Sequence, residues 1–275
     1  MDEAWVATIN DTFSGDDNNA TFSGGIRDIL DSVMEQLTKE DLPENNRTFT
    51  FAQTKSFKLW YEMQSNITKS KVQDLVREGR LDLVSGGWTT PDEATTTFEA
   101  LIDNFMIGQQ WVQREFDHHS KVSWSVDAIG VSTGYARLAR DLGFDMLVYS
   151  KINSYERESM RVNKTRTQVW RPHEENLGMR KDILGVALDQ QKNSSLGSYC
   201  WPHGFYVDQN YLQDVPMVLN KNASGYKFDK LVKNFYRDVR DYLDKERTTH
   251  VMKPFGCDMA YVDAEMNYII MDNLF

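Results

Sequence analysis

The sequence predicts an α/β domain built on a mostly parallel sheet, either open or closed into a barrel. Two observations predict it. Short apolar runs of strand type recur along the chain, and amphipathic helical stretches separate them. Such alternation packs helices onto parallel strands through crossover connections. A third observation sets the scale. With 275 residues, 40% of them hydrophobic, the chain can bury one large core or two small ones.

Strands are expected at 48–53 (TFTFAQ), 81–85, 122–127, 146–150, 169–171, 183–188 and 250–255. The first helix is carried by Ile26, Ile29, Leu30, Val33, Met34 and Leu37, which share one face at helical spacing. Ser70 and Gln73 resemble a capping box ahead of Val72, Leu75 and Val76, and Gly79 ends that helix. Phe98, Leu101, Ile102, Phe105, Gln109 and Val112 form a third helical face after Pro91. Tyr135, Leu138, Ala139 and Leu142 make a short helix stopped by Gly143. Phe228, Leu231, Val232, Phe235 and Val239 make a late one. Residues 189–224 lack periodicity and read as a long surface excursion.

Composition narrows the function. Seven Trp and twelve Tyr belong to a folded chain, since disordered segments are poor in aromatics. A net charge of −10 argues against a nucleic-acid backbone as partner. No window is apolar enough for a membrane span. The start carries no basic residues followed by an apolar run, so no signal peptide is visible. The acceptor pattern Asn-x-Ser/Thr nevertheless occurs seven times, at Asn10, Asn19, Asn46, Asn66, Asn163, Asn193 and Asn222. Either the chain passes through a glycosylating compartment, or an Asn- and Thr-rich composition produces the pattern without glycans. The first reading fits the absent leader if the chain is a portion of a longer protein. Cys200 and Cys257 are far apart and lack metal-type spacing; they either pair or stay free.

Three segments could carry chemistry. In WSVDAIGVS (124–132) an apolar strand runs into Asp127, and Gly130 precedes a new helix. That puts a carboxylate on the rim where α/β folds gather their chemistry, although an Asp there can also simply end a strand or cap a helix. In GGWTTPDEATTTF (86–98) two glycines permit a sharp turn, and Asp92 and Glu93 suit a helix start, where the macrodipole favours acids; a structural role is expected for both. In FGCDMAY (255–261) a strand again leads through a glycine to Asp258. Two rim carboxylates are what glycoside hydrolysis uses: one attacks or activates water, the other protonates the leaving oxygen. Asp258 would need a raised pKa for the second task. His118 and His119 are adjacent, so on a helix they would point apart, and the local sequence HHSK before a strand reads as a surface loop; His173, His203 and His250 stand alone, so the residues themselves assemble no metal site.

Together these segments resemble the family 38 glycoside hydrolases, the α-mannosidases, and the lysosomal type in particular. VQDLVREGRLDLVSGGWTTPDEATTTF (72–98) is similar to the family's strand and turn with GGW and NDEA. WSVDAIGVSTGYARLARDLGFDMLVYSKI (124–152) is similar to its WxxDPFGHS segment with the helix and strand after it. MKPFGCDMAYVDA (252–264) is similar to its GSDFxYxNA segment, and DEAWVATIND (2–11) to the portion after its HDD zinc motif. The likeness runs collinearly over essentially the whole chain.

The resemblance implies a seven-stranded (β/α) barrel, incomplete at the N-terminus, with 1–275 as the N-terminal portion of one catalytic domain truncated at both ends. It implies a retaining α-mannosidase acting on terminal α-D-mannose of glycoprotein N-glycans. Asp127 matches the nucleophile and Asp258 the acid/base. Asp2 and Asp127 match zinc ligands, Trp5 the aromatic beside the sugar, and Lys151 an active-site Arg. The implied cofactor is zinc, and the implied partners are a mannose-containing oligosaccharide and the C-terminal β-domains of the full-length enzyme. The implied place is the lysosome or another secretory or extracellular compartment.

The departures are specific. The zinc His two positions before Asp2 would precede Met1, and a second lies beyond Phe275. DPFGHS is here DAIGVS, with Ala128, Ile129 and Val131. Lys151 keeps the charge of the Arg but loses its planar fork. Ala4 replaces a Gly, Cys257 replaces a Ser, and 190–198 offers no counterpart of an active-site Tyr. An incomplete zinc site binds weakly, so this polypeptide alone is expected to be inactive or nearly so. The alternative is a non-catalytic glycan-binding relative. A metal-dependent deacetylase on a similar barrel would need a His-rich motif that the sequence lacks.

Overall fold

The computed structural model describes residues 25–42, 46–128, 130–188, 218–256 and 260–275. The chain enters helix α1 (Ile26–Leu37), then strand β1 (Phe49–Phe51), α2 (Thr54–Met63), α3 (Asn66–Arg77) and β2 (Leu81–Leu83). A long loop leads to α4 (Phe98–Phe116), followed by β3 (Val122–Ser125), α5 (Thr133–Asp141), β4 (Met146–Tyr149), α6 (Ser154–Asn163) and β5 (Thr167–Trp170). A single turn, α7 (Glu174–Leu177), precedes β6 (Ile183–Ala187); α8 (Phe228–Leu243) and α9 (Ala264–Leu274) come last.

Among the described residues the strands form two sheets. β1 and β2 pair in parallel, Phe49 opposite Leu81. The other sheet has the order β3-β4-β6-β5, with β3, β4 and β6 parallel and β5 antiparallel against β6. Ser85 joins the two sheets. Its N–H donates to the Val122 carbonyl (2.8 Å), and its hydroxyl accepts from the Trp124 N–H (2.6 Å) and donates to the Trp124 carbonyl (3.1 Å). The α/β architecture is as expected; a closed barrel of seven strands is more than these six form.

Each core follows from side-chain period. The apolar face of α1 packs with Phe57 and Trp60 of α2, Val72 of α3 and Leu81 of β2 in one cluster that α4 joins through Trp111. Burying a ring such as Phe57 or Trp60 contributes about 2–3 kcal/mol, and Trp60 keeps its polar end satisfied by donating Nε1–H to Asp31 (2.7 Å). In β4, successive residues face opposite sides of the sheet. Leu147 and Tyr149 pack with Phe105, Tyr135 and Phe144, whereas Val148 packs with Val126, Val186 and Leu188. Covering on both faces is what a parallel strand requires.

Three expectations are corrected. The helix read from Ser70 starts earlier, at Asn66, because Ser65 accepts the Thr68 N–H (3.2 Å) and caps it there. Residues 250–255 form no strand; the run holds Pro254, which has no N–H to give a ladder. Asp92 and Glu93 do not open a helix, since α4 starts at Phe98 with Thr97 as its cap (Ala100 N–H to Thr97 Oγ1, 3.3 Å). His118 and His119 lie, as expected, in the loop before β3, and His118 Nε2 stands 3.3 Å from Asp82. Most of the excursion expected at 189–224 lies outside the described residues, as do Cys200 and Cys257.

Candidate active site

The register of two neighbouring strands builds the site. Ser125 and Tyr149 are partners at the carboxyl ends of β3 and β4. Two residues further on each strand stand Asp127 and Lys151, and parallel pairing brings them face to face. Lys151 Nζ lies 2.5 Å from Asp127 Oδ1. Their side chains remain 37% and 33% exposed, so the carboxylate is open to the rim rather than sealed in an ion pair. A pair this exposed contributes under about 1 kcal/mol to stability. Lys presents a point charge here, where a guanidinium would grip both oxygens.

The loop that carries Asp127 is pinned on both sides. Gly130, at φ +90°, gives its N–H to the carbonyls of Ala128 (3.0 Å) and Lys151 (3.1 Å). Ala128 is buried, and Val131 packs partly buried against the cluster of Tyr135 and Phe144. Underneath, Ser123 of β3 shares a hydrogen bond with the Tyr135 hydroxyl (3.0 Å), and burial raises the Tyr135 pKa well above that of a free phenol. Burial likewise pushes Tyr149 up to about 12.

Beside it, the loop after β2 turns through Gly86 (φ +65°) and lies against α4. A Cβ on Gly108 would stand 2.0 Å from the Gly86 carbonyl oxygen, so the helix backbone touches the loop backbone directly. A cleft of about 390 Å³ opens here, lined by Gln53, Lys55, Trp88, Thr90, Asp92 and Asn104 among others. Asp92 Oδ1 accepts the Ala94 N–H (2.9 Å), while Oδ2 is buried without a hydrogen-bond partner. Glu93 reaches across to the Asp127 loop: Ser132 gives it both its N–H (2.8 Å) and its hydroxyl. The structural role expected for the two acids holds in part, but for Glu93 the partner is a different loop. The signal in the sequence was an acid, 39 residues from a Ser able to cap the helix after Asp127, and nothing local joins the two.

Of the residues expected at the site, Asp127 and Lys151 are brought together. Asp2, Trp5 and Asp258 lie outside the described residues, as do Ala4, Ile129, Cys257 and 190–198. Among the acceptor asparagines, Asn46, Asn66, Asn163 and Asn222 are exposed, and Asn10, Asn19 and Asn193 lie outside the described residues. No group of three or more His, Cys, Asp or Glu among the described residues could hold a metal ion. No helix among them is long and apolar enough to cross a membrane.

Parallel strands ending on a rim, with a solvent-open carboxylate there, place the chain among α/β domains that work from the carboxyl ends of their strands. The glycosyl hydrolases family 38 N-terminal domain matches residues 1–275, and the chain belongs to that family. It is 29% identical to the lysosomal alpha-mannosidase of Dictyostelium discoideum over 99% of its length and 25% of the relative's. It is 30% identical to that of Felis catus, over 99% of this chain and 26% of the relative. The chain thus spans about a quarter of the length of these relatives. In fold it is similar to an alpha-mannosidase from Enterococcus faecalis V583, with a TM-score of 0.59 at 15% identity, over 90% of this chain and 24% of that one.

Proposed function

We propose that this chain is the N-terminal portion of the catalytic domain of a retaining α-mannosidase that removes terminal α-D-mannose from glycoprotein N-glycans. The supporting observation is Asp127, held at the carboxyl end of β3 and open to the rim, in a chain that matches the family from end to end. In this reading Asp127 Oδ attacks the anomeric carbon. The bond to the leaving oxygen breaks as Asp258 delivers its proton, and the mannosyl ester of Asp127 forms. Water, deprotonated by Asp258, then displaces Asp127 and restores both groups. Retention with two carboxylates needs them about 5 Å apart. Lys151 faces the nucleophile and holds it by charge from the next strand.

Zinc enters only through the resemblance, with Asp2 and Asp127 as ligands and Trp5 beside the sugar. Among the described residues the donor set does not fit a zinc ion, which takes about four ligands: Asp127 faces an ammonium and no acidic or imidazole cluster surrounds it. The remaining strands of a seven-stranded barrel, the C-terminal β-domains and a lysosomal or secretory location, with glycans on the seven acceptor asparagines, complete the proposal.

A second reading is a non-catalytic glycan binder. It is favoured by Val131, which packs partly buried against the core where the family pattern has a His, and by the loss of the guanidinium at Lys151. Turnover of an aryl α-mannoside by the full translation product separates the two. Asp127→Asn is expected to reduce kcat by about a thousandfold or more, as removal of a nucleophile does. Turnover unchanged in that variant sinks the assignment of Asp127, and no turnover in the parent supports the binder.

A further inference from the structure

We propose that Glu93 is a positioning residue for Asp127, acting through Ser132. The inference rests on the reading of Asp127 as the reacting carboxylate. The segment 126–132 leaves β3 at buried Val126 and enters α5 at Ser132. Between these ends Asp127 meets Lys151, and Gly130 meets the Lys151 carbonyl. Lys151 follows β4, so both contacts refer the loop to the sheet. The far end is referred elsewhere. Ser132 gives its N–H and its hydroxyl to the two carboxylate oxygens of Glu93, which belongs to the loop after β2.

Helix capping does not account for this arrangement. Ser132 already caps α5, its Oγ accepting the Tyr135 N–H (3.1 Å). A carboxylate near a helix N-terminus gains from the macrodipole wherever it sits in the first turn, yet this one arrives from 39 residues away and takes both Ser132 donors. Its own support is stiff. Trp88 N–H bonds the Asn104 carbonyl (2.9 Å), and the Asn104 amide makes three further hydrogen bonds to Thr89, at 2.9, 3.1 and 3.0 Å. Asp92, the preceding residue, is only 4% exposed and holds the Ala94 N–H. Through Glu93 the exit of the Asp127 loop is thus tied to α4, while its entrance belongs to the sheet. With both ends fixed, a short loop has little freedom to move its carboxylate. A displacement of about 1 Å at a reacting group can cost about a hundredfold in rate.

The test uses the 15N-labelled chain with Glu93→Ala, Glu93→Gln and Ser132→Ala, read by amide chemical shifts, alongside α-mannoside kinetics on the full translation product. Positioning predicts that Glu93→Ala shifts the Asp127 and Gly130 amides. It also predicts that kcat falls by about tenfold to a hundredfold while KM stays within about twofold. Glu93→Gln, which still accepts the Ser132 N–H, should recover most of both. Amides of Asp127 and Gly130 that stay in place while those of Tyr135 and Ala136 move would make Glu93 a helix cap and overturn the proposal. If Asp127→Asn keeps full turnover, or the parent shows none, the mannosidase reading is what fails, and the amide shifts alone decide the role of Glu93. Should Glu93→Ala not fold, Glu93→Asp, whose shorter side chain cannot keep both Ser132 hydrogen bonds, supplies the same shift comparison.

Discussion

The two loops that leave the sheets at β2 and β3 share one rim but are held by different means. The loop after β2 is fixed at its start by main chain. Thr54 and Lys55 give their N–H groups to the carbonyls of Gly87 (3.3 Å) and Trp88 (2.9 Å), and the Gly86 carbonyl lies against Gly108 of α4 with no room for a side chain. The loop after β3 is fixed largely by side chains: Lys151 on Asp127, and Glu93 on Ser132. Backbone contact leaves a segment with one geometry. Ionic and hydroxyl contacts leave it exposed to substitution, salt and pH. The rim therefore couples a stiff frame to a chemically adjustable arm, and the departures from the family pattern at Ala128, Val131 and Lys151 all fall on or beside the arm.

The comparison can be broken at three points. The largest effect is expected at Gly108→Ala, where the added methyl would meet the Gly86 carbonyl at 2.0 Å and the Trp88 nitrogen at 2.7 Å. Overpacking against backbone costs about 3 kcal/mol or more, to be read as a lowered urea midpoint; a loss below about 1 kcal/mol would show that the frame is not rigid. The next effect comes at high pH. Tyr149 lies under the arm with its pKa raised by burial to about 12, against about 10 in the unfolded chain. A raised pKa means stability that is whole below about pH 10 and drains as pH climbs through about 12, by up to about 3 kcal/mol. Tyr149→Phe should flatten that alkaline loss, and an unchanged slope between about pH 10 and 12 would count against burial of the phenol. The smallest effect is Lys151→Met. An ion pair a third exposed contributes at most about 1 kcal/mol, so thermal unfolding should move little, and the small loss should shrink as salt is added. A larger loss would mean that the arm, too, is set by its packing.

Much of this frame could be read from residue order, and the reasons are specific. β4 and β6 are short apolar runs because both faces of a parallel strand are buried, which makes them conspicuous. Asp127 and Lys151 each stand just past such a run, so their meeting follows from strand register alone. Other elements carried weaker signals. α6 buries a single residue, Met160, and so shows no apolar stripe. α2 follows β1 after two residues, and its buried Phe57, Trp60 and Tyr61 were masked by that continuity. The stretch at 250–255 has the residues of a strand but not its hydrogen bonding, because Pro254 has no N–H to give a neighbour. The clasp between Glu93 and Ser132 was invisible because it depends on two loops meeting in space, and no periodicity encodes that.

Ser85 carries a consequence of its own. Elsewhere in the sheets, neighbours are zipped by repeated peptide-to-peptide bonds, which changing a side chain to alanine leaves in place. Between β2 and β3 one alcohol, on a residue at φ +61°, takes over two of the three links that bridge the gap. Most of the seam between the two sheets, and with it the spacing between frame and arm, thus rests on a group that a one-atom substitution such as Ser85→Ala would erase, leaving only the main-chain bond from the Ser85 N–H.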